Sequence, residues 1–108
     1  MQTQTTRVRV DEALVGYIQA IAEATRRSPL IELGVSTRGA LALRACAQAR
    51  AFSLGRDYCL PEDVKQMAVP ALAHRIQIAR AFESQTFAAH REDEEVLERV
   101  INETPAPV

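Results

Sequence analysis

One long run without proline, residues 36–54, constrains the fold of this chain more than any other feature. Ser36 is a good N-cap residue, and Gly55 readily takes the left-handed conformation that ends a helix. Between them alanine and leucine occur on almost every side of the predicted helix, including Leu41, Leu43 and Phe52. Helices that are apolar all round are normally buried among others. We therefore predict a helical domain packed around this central helix.

Shorter patterns predict the remaining elements. A first amphipathic helix should begin at the Asp11 cap and run to about Arg26, where Pro29 follows closely. Another helix should begin at Pro61, and Pro70 should kink or restart it near Val69. The other expected elements are short extended segments at residues 7–10 and 76–78, an ambiguous stretch at 79–91 in which Phe82 and Phe87 anchor a loop, and a last helix over 92–102. The fold class is mainly α, a small four- to five-helix bundle with minor short extended segments.

Length and composition agree with one compact domain. The 108 residues are 47% hydrophobic and 25% charged, as in ordinary globular proteins, and they include 18 alanines and 12 arginines. No apolar run is long enough to span a membrane, and the first residues lack the apolar centre of a signal peptide. Cys46 and Cys59 have no metal-ligand spacing, so we expect two small buried residues in a reducing compartment. These observations predict a cytoplasmic protein with no metal site.

Charge is unevenly distributed along the chain. The net charge is −1, which disfavours general nucleic-acid binding, yet residues 1–56 carry a balance of +4 and residues 57–108 a balance of −5. No phosphate-binding loop occurs, and His74 and His90 have no evident nucleophile partner. We therefore predict no complete active site in this chain, while its basic half is suited to hold an anion.

Arg38 is the most informative single residue on electrostatic grounds. It lies two residues after the Ser36 cap, in the first turn of the central helix, where a cation is unfavourable by roughly 0.3–1 kcal/mol. The same position gathers unpaired N–H groups and is suited to phosphate. Gly39 next to it would let a ligand approach the backbone closely. An anion bound at this helix end would explain the arginine.

Several segments in a fixed order resemble the C-terminal lid subdomain of MoxR-family AAA+ ATPases. That family typically has a stretch like LGxSPRA, an Ala/Leu-rich helix, a GRDYVTPEDV segment and an apolar run ending in HRI. This chain has LGVSTRGA at 33–40, GRDYCLPEDV at 55–64 and HRI at 74–76, and the resemblance spans residues 8–107. Thr37 replaces the usual proline, and Leu60 replaces a capping threonine, so the third helix should begin with a frayed turn.

The resemblance implies specific roles for residues around the start of the central helix. Arg38 matches the sensor-2 arginine, which contacts the ATP phosphate, and Ser36, Thr37 and Gly39 surround it. Arg26 matches a basic residue that faces either nucleotide or a neighbouring subunit. We interpret His74 and Arg75 as structural or interface residues. The resemblance implies no catalytic residue in this chain itself, since the nucleotide-hydrolysing motifs of the family belong to the preceding core.

The resemblance also implies an organisation, a cofactor and partners. We expect a disordered segment at 1–7, the lid domain at 8–104 and a tail at 105–108. ATP with Mg²⁺ would bind to the full-length parent, and this fragment alone would neither hydrolyse nor tightly bind it. Expected partners are the lid's own AAA+ core, the neighbouring subunits of a hexameric ring, and von Willebrand factor A-type proteins. The parent would be an ATPase with chaperone-like remodelling activity.

Two other readings of the residues stay open. A histone-fold-like dimeriser shares the long central helix and the PEDV helix start, and it would form a stable dimer without any nucleotide role. A helix-turn-helix DNA-binding protein needs a basic recognition face. Arg38, Arg44 and Arg50 do not provide one, because successive members lie about 240° apart around the helix.

Overall fold

The computed structural model describes residues 7–78 and 87–107, and it is mainly helical, as predicted. Four α-helices, two short strands and one 3₁₀ turn occur in these residues. In chain order they are α1 (Glu12–Arg27), β1 (Ile31–Leu33), α2 (Thr37–Ser53), α3 (Pro61–Leu72), the 3₁₀ turn (Ala73–Arg75), β2 (Gln77–Ile78) and α4 (Phe87–Glu103). No helix in this part of the chain is long and apolar enough to cross a bilayer.

Helix α1 begins and buries its apolar face as its sequence predicts. The Asp11 carboxylate accepts a hydrogen bond from the Leu14 amide at 3.1 Å, and Glu12 lies in the positively polarised first turn. Its buried residues follow a helical spacing: Leu14, Tyr17, Ile18, Ile21, Ala22 and Thr25. The helix ends where Ser28 becomes extended before Pro29.

Helix α2 begins after Ser36 and is followed by Gly55 at φ +80°, so both predicted ends are confirmed. The expectation that it is buried on all sides is wrong. Leu43, Ala47 and Ala51 are buried, whereas the Leu41 side chain on another face is 60% exposed. The mostly small residues on the outer face are tolerated there because alanine favours helix wherever it lies. In the described part of the fold, α2 therefore lies at the surface with one buried stripe.

Helix α3 runs through Pro70 and passes into the 3₁₀ turn after Leu72, so the predicted restart near Val69 does not occur. The carbonyl that loses its helical partner belongs to Gln66, and both Gln66 and Pro70 are exposed. Water can therefore hydrate that carbonyl. The start of α3 is also better held than expected, because the Asp63 carboxylate accepts a hydrogen bond from the Leu60 amide at 2.7 Å.

A buried carboxylate joins the ends of α2 and α3. The Asp63 side chain is fully buried and accepts hydrogen bonds from Arg50, at 2.6 Å, and from two nitrogens of Arg56, at 2.7 and 2.9 Å. Burial alone raises the pKa of Asp63, but the bonds from Arg56, the Leu60 amide and Arg50 outweigh it and lower the pKa to about 2. Asp63 is therefore charged, paired and structural.

The segment before α1 is tied to the connector between α2 and α3. The Arg9 amide donates to the Asp57 carbonyl at 2.9 Å, and the Cys59 amide donates to the Arg9 carbonyl at 2.8 Å. The Gln48 side chain of α2 donates to the Val8 carbonyl at 2.8 Å. The predicted extended segment at 7–10 therefore forms a parallel bridge rather than a free arm.

Both cysteines are free thiols. Cys59 is buried as expected, and burial raises the pKa of its thiol, whereas Cys46 is only half-buried. No group of three or more His, Cys, Asp or Glu side chains that could hold a metal ion occurs in residues 7–78 and 87–107.

The predicted strand at 76–78 is confirmed, since Ile78 pairs with Ile31 and Gln77 with Leu33 in an antiparallel ladder. Helix α4 begins at Phe87, five residues earlier than predicted, so Phe87 does not lie in a loop. Phe82 lies outside the described residues, as do residues 1–6 of the segment expected to be disordered. Leu97, Val100 and Ile101 form the buried stripe of α4.

Candidate anion site at the start of α2

The first turn of α2 carries three of the predicted site residues. The Ser36 hydroxyl accepts a hydrogen bond from the Gly39 amide at 3.2 Å, which fixes the cap. The amides of Thr37 and Arg38 lie ahead of any carbonyl of their own helix, so they have no intrahelical partner. Both residues are exposed. This end of α2 therefore combines two backbone donors that have no intrahelical partner with an exposed arginine.

The charge pattern of this turn differs from those at the starts of α1 and α3. Glu12 lies in the first turn of α1, and Glu62 and Asp63 lie in the first turn of α3, whereas the first turn of α2, like that of α4, contains no acidic residue. Arg38 therefore adds positive charge to a positively polarised helix end without local compensation. The arrangement suits an anion from outside the described residues.

The turn that leads into α2 is held directly against α1. The Val35 amide donates to the Thr25 hydroxyl at 3.0 Å, and Arg26 Nε donates to the Val35 carbonyl at 3.0 Å. Thr25 and Val35 are fully buried. Both backbone polar groups of Val35 are thus satisfied by the last turn of α1. Arg26 has a structural hydrogen bond through Nε, which sequence reasoning did not anticipate.

Gly34 permits this close approach. A methyl group at Gly34 would lie 2.9 Å from the Cα, the Cγ and the backbone nitrogen of Arg26. Such a contact is too short for two carbon atoms, and the Arg26 backbone cannot move away without bending α1. Gly34 and Thr25 were not predicted as site residues. Their signal in the sequence is a Thr-Arg pair at the helix end followed by a glycine just before the next cap.

Gly39 does not serve the predicted purpose of ligand access. It is buried, and a methyl group there would lie 2.9 Å from Val35 Cγ1 and 3.3 Å from Arg75 Cδ. The space beside its backbone is therefore filled by protein. The Arg75 stem, from the 3₁₀ turn, lies against the first turn of α2, and its buried Nε has no hydrogen-bond partner among the described residues.

An open groove of about 440 Å³ lies between α1 and α2 beside this turn. Ile18, Ala22 and Leu41 contribute apolar lining, and Arg26, Arg44 and Glu23 contribute charges of both signs. Arg38 does not line the groove, but its neighbour Thr37 does, so Arg26 and Thr37 share a groove beside the turn that carries Arg38. Ser36 and Gly39 support this turn from the cap and from the buried side.

Comparison with known proteins explains the architecture. Residues 23–100 match the family model described as the AAA lid domain, and this match covers most of the chain. The chain belongs to the AAA lid domain family. The resemblance to MoxR-type lids is confirmed as well, because relatives of this AAA lid include MoxR proteins.

The chain is similar to three curated proteins and to one solved structure. The AAA lid is 40% identical over 78 residues to the uncharacterized protein YeaC of Bacillus subtilis. This match covers 72% of this chain and 24% of that protein. It is 44% identical over 62 residues to MoxR of Paracoccus denitrificans, which covers 57% of this chain and 17% of that protein. It is 33% identical to the chaperone MoxR1 of Mycobacterium tuberculosis, over 62% and 20% of the two chains.

A crystal structure from Cytophaga hutchinsonii, of a protein described as a candidate ATPase, matches 98% of the lid and 34% of that chain with a TM-score of 0.79 and 29% identity. The lid therefore spans about a quarter or less of the curated relatives it matches, and about a third of the structural neighbour.

The AAA family implies a nucleotide with Mg²⁺ in such proteins, and the start of α2 fits a nucleotide phosphate. Among residues 7–78 and 87–107, two backbone amides and the Arg38 guanidinium have no partner, and the first turn of α2 contains no acidic side chain, although Glu23 lines the adjoining groove. The described residues supply no carboxylate cluster for the metal. They fit the anionic part of the nucleotide alone.

Proposed function

We propose that this domain is the sensor-2 lid of a MoxR-type AAA+ ATPase, which closes over ATP and Mg²⁺ bound by a separate core domain. The observation that carries the proposal is the exposed Arg38 in an acid-free first turn with two spare amides. A guanidinium fixed on a helix end can donate two hydrogen bonds to a phosphate. Arg38 would report whether the nucleotide still carries its terminal phosphate.

The groove supports the same proposal from the apolar side. A ligand whose phosphates lie at Arg38 would place its uncharged part toward Thr37, Ala22 and Leu41. Leu41 is 60% exposed and therefore offers apolar surface that a partner could bury. Closure of the lid over nucleotide would cover it. ATP with Mg²⁺ supplies the phosphate and its charge, and this chain's own residues bind and orient that phosphate.

Assembly and remodelling belong to this proposal too. We propose that the lid's own AAA+ core and the neighbouring subunits of a hexameric ring are its direct partners, and that von Willebrand factor A-type proteins are further ones. The match to the chaperone MoxR1, over 62% of this chain and 20% of that protein, supports a chaperone-like role for the parent ATPase, and we propose a cytoplasmic location for it. Domain limits of 8–104 for the lid, with segments 1–7 and 105–108 outside it, complete the proposal.

The test is Arg38→Ala in the ATPase that contains this lid. Loss of one charged donor to the phosphate should lower ATP turnover by about tenfold or more. Arg38→Lys should recover only part of the rate, because an ammonium cannot donate in a planar fork. Lys65→Ala, which removes an exposed cation on α3, is the matched control and should leave turnover unchanged. Normal turnover in Arg38→Ala would reject the sensor-2 role.

Sedimentation of the isolated 108-residue chain tests the competing interaction module. A lid that covers its apolar groove with a core domain should sediment as a monomer at micromolar concentration. A stable dimer at that concentration would favour the histone-fold-like dimeriser instead.

A further inference from the structure

We propose that Arg75 is a positioning residue for Arg38, because its aliphatic stem packs against Gly39 and fixes the first turn of α2. The proposal rests on the proposed role of Arg38 at the nucleotide. Arg75 is 37 positions away in the chain and belongs to the 3₁₀ turn that follows α3. The two arginines are brought together by the fold through the glycine that follows Arg38.

The Arg75 stem occupies the space beside Gly39 that a side chain would otherwise fill. The position of a Cβ at Gly39 lies 3.3 Å from Arg75 Cδ, so even one methyl group there would crowd the stem. Gly39 is buried although its neighbours Ser36, Thr37 and Arg38 are all exposed. Val35 Cγ1 also lies close to Gly39, at 2.9 Å from the same Cβ position. The first turn is therefore held at Gly39 between Val35 and Arg75.

Arg75 is held by packing rather than by polar contacts in the part of the chain that the structure describes. Its buried Nε has no hydrogen-bond partner there, whereas Arg26, Arg50 and Arg56 each donate to an oxygen of the domain. The next residue, Ile76, is buried, and β2 follows and pairs with β1. Arg75 therefore connects the small ladder to the start of α2 through its stem.

This packing affects the group that would touch phosphate. Gly39 donates to the Ser36 hydroxyl, so a shift of Gly39 also loosens the cap, and Arg38 lies between these two residues. A displacement of about 1 Å at a ligand-contacting group can weaken its effect by up to about a hundredfold. Removal of the Arg75 stem should therefore misplace Arg38 without removing it.

The experiment compares Arg75→Ala with Arg75→Lys in the ATPase that contains this lid, with Arg38→Ala alongside. Affinity for a fluorescent ATP analogue should fall about tenfold in Arg75→Ala and stay within about twofold in Arg75→Lys, because lysine keeps the stem. His74→Ala is the matched control, since His74 is exposed in the same 3₁₀ turn. It should bind the analogue normally.

Amide exchange in the 108-residue chain gives a second readout that is independent of nucleotide. The Gly39 and Ala40 amides, which bond to Ser36, should exchange about tenfold faster in Arg75→Ala and at the normal rate in Arg75→Lys. Gly39→Ala should act in the same direction, because its methyl group would crowd both Val35 Cγ1 and the Arg75 stem. Helix propensity alone would instead make that variant exchange more slowly.

Three results would overturn the proposal. These are normal affinity in Arg75→Ala, affinity in Arg75→Lys as weak as in Arg75→Ala, or unchanged exchange at Gly39 and Ala40 in Arg75→Ala. Arg38→Ala separates this failure from that of the proposed function. If Arg38→Ala binds and turns over ATP normally, the sensor-2 role fails whatever Arg75 does. If Arg38→Ala is impaired and Arg75→Ala is not, only the positioning role fails.

Discussion

Arg56 donates two parallel hydrogen bonds to the carboxylate of Asp63, at 2.7 Å from Nη1 to Oδ2 and 2.9 Å from Nη2 to Oδ1. The arginine follows α2 and the aspartate lies in the first turn of α3, so this pair closes the turn between the two helices. Arg50 adds a third bond to the same carboxylate. A fork of this kind is the strongest geometry for an arginine–carboxylate pair.

The pH dependence of stability should reveal this pair. The pKa of Asp63 is lowered from 3.8 to about 2 in the folded chain, so its contribution is present above about pH 4 and is lost as the pH falls toward 2. The loss should total about 2 kcal/mol of unfolding free energy. Urea unfolding of the 108-residue chain at several pH values measures it. Asp63→Asn should be less stable at pH 7 and flatter in this window. Equal pH profiles for the two proteins would contradict the assignment.

Two glycines offer opposite predictions for the same substitution. Gly34→Ala should destabilise the chain by about 1–3 kcal/mol, because the new methyl group meets the Arg26 backbone at 2.9 Å. Gly16→Ala should stabilise it by about 0.5–1 kcal/mol, because Gly16 lies within α1 with no atom within 4 Å of the added methyl group. Thermal unfolding of both variants checks the pair. Similar effects of both would refute the close approach at Gly34.

Thr25 should be needed for its oxygen more than for its shape. Its hydroxyl accepts from the Val35 amide at 3.0 Å and donates to the Ala22 carbonyl at 2.6 Å, and the residue is fully buried. Thr25→Val keeps the shape and leaves the Val35 amide unpaired, which should cost about 1–3 kcal/mol of unfolding free energy. Thr25→Ser keeps the oxygen and should lose less. In chemical denaturation, the unfolding free energy should fall in the order wild type, Thr25→Ser, Thr25→Val. A Thr25→Val variant more stable than Thr25→Ser would exclude the hydrogen bond.

Arg38 should lower the stability of the isolated domain. Arg38→Glu replaces a cation with an anion at the positive end of α2, so the unfolding free energy should rise by about 0.3–1 kcal/mol at low salt. Arg44→Glu, in the middle of the same helix, should give no comparable gain because the dipole effect is confined to the terminal turns. Denaturation at low and high salt compares the two. A loss of stability in Arg38→Glu would mean that Arg38 has a stabilising partner within the chain.

Local signals in the sequence predicted the starts of α1, α2 and α3 and the end of α2, because these depend on neighbouring residues, whereas the start of α4 at Phe87 was missed. Asp11 and Ser36 cap helices as expected, Gly55 has the positive φ that closes α2, and Pro61 begins α3. The route of the chain through Pro70 was not predictable, since it depends on whether the carbonyl left without a partner is exposed.

Hydrogen-bond partners that are distant in the chain could not be predicted from the sequence pattern. Arg26, Arg50 and Arg56 cannot be told apart by residue type. Arg26 donates to a backbone carbonyl, whereas Arg50 and Arg56 both donate to Asp63. Arg38 alone was distinguishable, because its position relative to a helix start is a local property. The candidate site was thus predicted through its electrostatics, whereas the contacts of Thr25, Gly34 and Arg75 around it require the tertiary structure.

The hydrogen bond from Gln48 to Val8 fixes how far Arg38 lies from the point where the leading segment joins α2. Gln48 is ten residues from Arg38 along α2, which is about 15 Å of helix. If the domain pivots where the leading segment joins α2, a rotation of about 10° carries the guanidinium through about 2.5 Å, which is close to the length of a hydrogen bond. Under the proposed function, a modest tilt of the domain would therefore be enough to make or break a contact between Arg38 and a phosphate.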